Sequence, residues 1–173
     1  MMEQYFESRA KRYYAGEKNL EDFYPQYGYQ AGATPEGVEK ARDHKEIYAK
    51  LQGENAPVTP QPAPLDAKWR FFWRIGERPK DINNKTIDPP EHIPKDFPQW
   101  ESTMNRWGYL MHDCVFTVSE MLAIGLGLPE TTFTERMKLG AHLLAPTGSD
   151  LDRYDVGTVF AGFHYGNDFK SIT

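Results

Sequence analysis

The sequence predicts an α+β fold, with a mainly helical front, one long helix, and strands gathered towards the C-terminal end. Three observations carry this. Eleven of the 13 prolines precede residue 99, so the front is interrupted and the back is free to hold longer regular elements. Between residues 99 and 128, apolar side chains recur every three or four positions, the spacing of one helix face. After residue 140 that period gives way to short apolar runs bounded by Gly, Pro and Asp, the pattern of strands and turns.

The elements follow in order. Residues 3–29 carry Tyr5, Phe6, Tyr13, Tyr14, Phe23, Tyr24, Tyr27 and Tyr29, which predicts an extended arm pinned to the body by its rings. Thr34-Pro35-Glu36 reads as N-cap, first helical position and acidic first turn. It predicts a helix over 35–51 with Val38, Ala41, Tyr48 and Leu51 on one side, ended by Gly53. Residues 57–64 hold four prolines and read as an extended linker. Trp69-Arg70-Phe71-Phe72-Trp73-Arg74-Ile75 is a strand or a buried helical turn; periodicity leaves both open.

The long helix follows, with Trp100, Met104, Trp107, Met111, Val115, Val118 and Leu122 on its apolar side. Gly125 and Gly127 loosen its end and Pro129 stops it. A shorter helix is expected over 132–139. Strands are expected over 142–145 and 157–163, joined by the turn Pro146-Thr147-Gly148-Ser149-Asp150, with another starting near Phe169.

Composition narrows the function classes. Lys plus Arg is 20 and Asp plus Glu is 25, a net charge of −5 that disfavours nucleic acid as a partner. The single cysteine, Cys114, excludes an intramolecular disulfide framework and fits a reducing compartment. No apolar run reaches the roughly 18 residues of a membrane span, and the start lacks a signal-peptide pattern. The expected location is cytoplasmic.

Several residue groups weigh in favour of plain structural roles. Lys68 to Arg74 interleaves cations and rings, but reads better as a buried aromatic plug with snorkelling Arg stems than as a base-stacking platform. His112 and Asp113 diverge on a helix by roughly 100° and read as solvent-facing or capping groups. Cys114 reads as a small core residue. Residues 146–150 lack the glycine spacing and lysine of a phosphate loop.

One stretch carries more. Phe160-Ala161-Gly162-Phe163-His164-Tyr165 resembles the strand that delivers the first metal ligand in isopenicillin N synthase-like, Fe(II)/2-oxoglutarate-dependent dioxygenases. The resemblance extends back through Leu143-Leu144-Ala145-Pro146-Thr147-Gly148-Ser149-Asp150-Leu151. It also takes in the helix end Leu122-Ala123-Ile124-Gly125-Leu126-Gly127-Leu128-Pro129 and the segment that opens at Trp69 and ends at Pro79. In order along the chain these pieces cover most of residues 20–173.

The resemblance implies a helical N-terminal region over 1–140, and over 141–173 the opening strands of a partial double-stranded β-helix, or jelly roll. It implies Fe(II) and 2-oxoglutarate as cofactors and a small organic molecule as substrate, oxidised by an iron held in a His-x-Asp…His triad, a donor set suited to Fe(II). His164 matches the first ligand. Two residues on stands Gly166, which has no ligating side chain, so Asp168 is left as the candidate carboxylate. His142 and Tyr165 are the candidate substrate contacts. The second His and the 2-oxoglutarate-binding Arg of the family would fall after Thr173, so the expectation is an incomplete, inactive fragment of such an enzyme. The alternative is a non-catalytic remnant acting as a helical interaction module, self-associating through exposed sheet edges.

Overall fold

The computed structural model describes residues 1–40, 49–51, 53–56, 62–79 and 89–162. The fold is α+β. Within the described residues the chain divides into two compact units, each assembled from two separate stretches: residues 1–34 with 70–146, and 35–69 with 147–162.

The first unit opens with helix α1 (Met2–Tyr14). The aromatic arm expected there is therefore helical in its first half. Its inward side is set by Tyr5 and Arg9, four residues apart and both buried. Strand β1 (Gly32–Thr34) pairs antiparallel with β2 (Trp69–Arg74), setting Gly32 against Phe72 and Thr34 against Arg70. Trp69, Phe71 and Trp73 are buried while the alternate residues are half-buried, which settles this aromatic segment as a strand. On its other side the Arg70 guanidinium lies 3.8 Å from the Phe72 ring centroid, an aromatic plug with a snorkelling cation as expected.

Helix α2 (Trp100–Gly125) follows. It closes with Gly127 at φ +71°, whose N–H donates to Ile124 O, while Leu128 N–H donates to Ala123 O at 2.9 Å. Those paired bonds satisfy the last carbonyls, and Pro129 blocks continuation. A short helix α3 (Thr134–Met137) and strand β3 (Leu143–Leu144) complete the unit. β3 pairs antiparallel with β2, Trp73 against Leu144, which places β2 in the middle of the sheet. The core gathers Tyr5, Ala33, Phe71, Trp73, Ile75, Trp100 and Met104. Trp100 meets the rings of Tyr5 at 4.6 Å and Phe71 at 4.7 Å.

The facing of α2 differs from expectation. Trp100, Met104, Gly108 and Ala123 are its buried residues, with His112 and Phe116 half-buried, so the inward stripe advances by fours. The expected stripe leaves it at Trp107, which is 40% exposed, and Val118 and Leu122 further along are 61% and 54% exposed. Gly108 decides this. A Cβ there would overlap Ile75 Cδ1 and Cγ1, so the missing side chain lets α2 close onto the end of β2. Trp73 Nε1–H donates to Asn105 Oδ1 at 2.9 Å and fixes the rotation. Cys114 follows from the same rotation: it is exposed, not a core residue.

The second unit is built around Asp66, 7% exposed. Its backbone accepts from Gly37 N and donates to Glu39 O, and Gly162 N–H donates to its Oδ1 at 3.3 Å. Lys68 pairs with both Asp66 and Glu39. Strand β4 (Thr147–Gly148) and a 3₁₀ turn (Leu151–Arg153) lead to Tyr154, whose hydroxyl donates to Glu36 Oε2 at 2.6 Å.

Two expected elements differ here. Residues 35–40 form a turn ending in a bridge from Lys40 to Leu65 instead of starting a helix, since Thr34 is held in β1 and Gly37 takes φ +74°. Residues 41–48 of that helix lie outside the described residues, and Ala49 and Lys50 are helical as expected. The 157–163 strand is also not formed over 157–162, where Gly157 at φ +95° opens a turn and Thr158 N–H bonds back to Asp155 O.

Candidate functional site

Two polar constellations stand out in the first unit. One borders a cavity; the other is closed.

The cavity holds about 280 Å³ between α2 and the run from Met137 to Ala145. Ile75, Met111, Val115, Phe116, Met137 and Leu144 supply apolar walls, and His112 and His142 supply its polar side chains. His112 stacks on Phe116 one helical turn on, with centroids 4.2 Å apart and planes at 30°. His142 stands edge-on to both, 5.1 Å and 79° from His112, 6.0 Å and 71° from Phe116.

His142 is firmly held. Its Nε2 lies 2.8 Å from Met137 O; a carbonyl only accepts, so Nε2 carries the proton and Nδ1 of the neutral ring keeps a lone pair. Its carbonyl accepts from Ile75 N at 3.1 Å and Arg78 Nη2 at 2.7 Å, while Arg78 Nη1 donates to Gly140 O. Arg78 thus clasps the approach to β3 and aims the imidazole. His142, the candidate substrate contact, stands just before β3 with its ring held by a backbone carbonyl while it lines the cavity.

His112 is the residue sequence reasoning passed over. Taken with its neighbour Asp113 it reads as a surface pair, and Asp113 is 79% exposed, 3.6 Å from His112 Nδ1. The useful signal lay four residues on, at Phe116.

The closed constellation joins α1 to residues 92–96. Asp22 is fully buried and accepts from Tyr5 Oη at 2.9 Å, from Arg9 Nε and from His92 Nε2. Arg9 turns its other two nitrogens onto Asp96, at 2.7 and 2.8 Å, a two-pronged ion pair. Tyr24 Oη lies 2.7 Å from His92 Nδ1.

Burial pushes the Asp22 carboxyl up, but hydrogen bonds from His92 and Arg9 outweigh it and hold it below its ordinary value. Burial likewise works against the Arg9 charge, and hydrogen bonds to Asp96 and Asp22 overcome it. Burial pushes the Tyr5 hydroxyl well up. The Asp22–His92–Tyr24 chain has the composition of a proton relay. With Asp22 sealed from solvent, its chemistry is that of a clamp.

An iron centre needs three converging donors. Among the described residues no group of three His, Cys, Asp or Glu converges. His112 and His142 approach each other, but His142 Nε2 is committed to Met137 O and Asp113 turns to solvent. That donor set does not suit Fe(II). The candidate ligands His164 and Asp168 and the candidate substrate contact Tyr165 lie outside the described residues. Among the described residues no helix is long and apolar enough to cross a membrane. No family model, curated protein or solved structure matches the chain.

Proposed function

We propose that this chain is a dioxygenase-related scaffold, built like the N-terminal region and first strands of the Fe(II)/2-oxoglutarate-dependent enzymes, that does not turn substrate over by itself. One observation carries the reading. Three segments that bear the sequence resemblance, the aromatic strand β2, the end of the long helix and the Leu143-Leu144 pair, belong to elements that pack as one body in the first unit, β2 against β3 and α2 against both. The described donors do not make an iron triad, so no oxidation step is assigned to them. The test is Fe(II)-dependent succinate formation from 2-oxoglutarate by the purified chain. Background rates are expected; turnover abolished by His164→Ala would overturn the non-catalytic part.

A second reading, an interaction module, is favoured by the outer side of α2. Val118, Met121, Leu122 and Ile124 are each more than half exposed, and from 107 to 128 the charged residues are Asp113 and Glu120 alone. A face so short of charge suits a second copy of the same face. Sedimentation velocity over a concentration series should show dimers that Val118→Lys with Leu122→Lys abolishes. A monomer at all concentrations would sink this reading.

A further inference from the structure

We propose that the cavity beside α2 is a binding site for a small, uncharged aromatic molecule of about two fused rings carrying one hydrogen-bonding group. This goes beyond the scaffold reading and needs no iron.

Size gives the first constraint. An engineered apolar cavity of about 150 Å³ takes one benzene ring; 280 Å³ leaves room for a second. Charge gives the next. Among the described residues no Asp, Glu, Lys or Arg lines the space, so an ionic ligand would enter without a counter-charge from them. A neutral molecule meets no such penalty.

The ring geometry selects aromatics. His112 and Phe116 lie nearly face to face, and His142 turns its edge towards both. An entering ring can complete this set with the stacked and edge-on contacts that aromatic pairs favour. Met111 and Met137 add polarisable thioethers that adapt to a ring edge.

Polarity is the final constraint. The hydrogen bond from His142 Nε2–H to Met137 O holds the ring beside the space, and in the neutral ring it leaves Nδ1 as an acceptor. One glycine makes room for the His142 ring: a Cβ at Gly140 would crowd it at 2.9 Å, whereas one at Gly76 would make ordinary contact with both imidazoles at 3.6–3.7 Å.

Indole is the probe: neutral, bicyclic, with one N–H donor. Its binding to the full chain is followed by NMR of methionine methyls and imidazole protons. Saturable shifts confined to Met111, Met137, His112 and His142 are expected. Indole-3-acetate, the same rings with a carboxylate, should bind at least tenfold more weakly. Val115→Trp, placed on the half-exposed rim, should fill the space and weaken indole at least tenfold. Glu101→Trp, exposed in the first turn of α2 and away from the lining, should leave it unchanged.

The proposal fails if indole shifts none of these nuclei, if the anion binds equally well, or if Val115→Trp has no effect. It also fails if the same nuclei shift on dilution alone and indole does not compete, because a second copy of the chain would then fill the cavity. The wild-type shift map stands even if a variant fails to fold.

Discussion

Replacing Asp22 by Asn tests whether the closed ionic cluster holds the first unit together. The carboxylate receives Tyr5 Oη, Arg9 Nε and His92 Nε2 and is fully buried. Asparagine keeps one acceptor oxygen and sets an NH₂ donor against a donor from Arg9 or His92. Hydrogen bonds to charged groups contribute about 1.5–3 kcal/mol each, and breaking a buried pair costs about 3–5 kcal/mol. Arg9 retains both bonds to Asp96, so the buried cation is not orphaned and the lower figure, about 3 kcal/mol, applies. For a chain of this length that lowers Tm by roughly 6–12 °C.

Urea titration and thermal melts followed by circular dichroism measure it, with a lower midpoint and an unchanged slope. Asp96→Asn is the control: its carboxylate is 53% exposed and should be worth about 1 kcal/mol or less. The pH dependence has a definite sign. Asp22 is held below its ordinary value in the folded chain, so its stabilisation is present above the unfolded value near 3.9 and is lost as pH falls through the folded one. Below about pH 4 the parent should therefore lose stability faster than the Asn variant. Asp22→Asn within about 0.5 kcal/mol of the parent, or no worse than Asp96→Asn, would refute the reasoning.

Other expectations follow from single contacts. Gly108→Ala should destabilise by about 1–3 kcal/mol despite better helix propensity, because the new methyl overlaps Ile75, and combined with Ile75→Ala it should cost less than the sum of the two single changes. Cys114 is exposed on α2 and should react with a thiol reagent in the folded protein at a rate close to that after unfolding. Tyr154 is pushed up to about 12 by burial and by its hydrogen bond to Glu36. A raised value stabilises below the unfolded value near 10 and is lost as pH rises through the folded one, so the parent should weaken over that window and Tyr154→Phe should not.

Much of the fold was legible because period and burial agree. Trp69, Phe71 and Trp73 alternate with smaller burial demands between them, and they form the alternating strand β2. The extent of α2 follows from its three-and-four spacing and from Gly127-Leu128-Pro129 at its end. Its facing was not legible, because apolar count favours Trp107 while the close approach at Gly108 decides the rotation, and a glycine contributes nothing to a hydrophobic pattern. The arm at the start misled for the opposite reason. Its many rings mask the step from Tyr5 to Arg9, and Arg9 reads as surface until Asp22 and Asp96 are brought to it. No spacing rule announces partners 13 and 87 residues away. The cavity was half legible: His142 stood out beside Leu143 and Leu144, whereas His112 was hidden by the habit of pairing it with Asp113.

The distance in sequence between Arg9 and Asp96 also sets an order of events during synthesis. α1 is synthesised before β2 and α2, yet its buried guanidinium lacks its second carboxylate until Asp96 has been made, 87 residues after Arg9. At about 5–20 residues per second that delay is roughly 4–17 s. Throughout it, a helix of 13 residues with an inward-facing cation has little to hold it, being near the length at which isolated helices are marginal. The residues of α1 are therefore made early within the first unit and fixed late, once the segment that carries Asp96 folds back onto them.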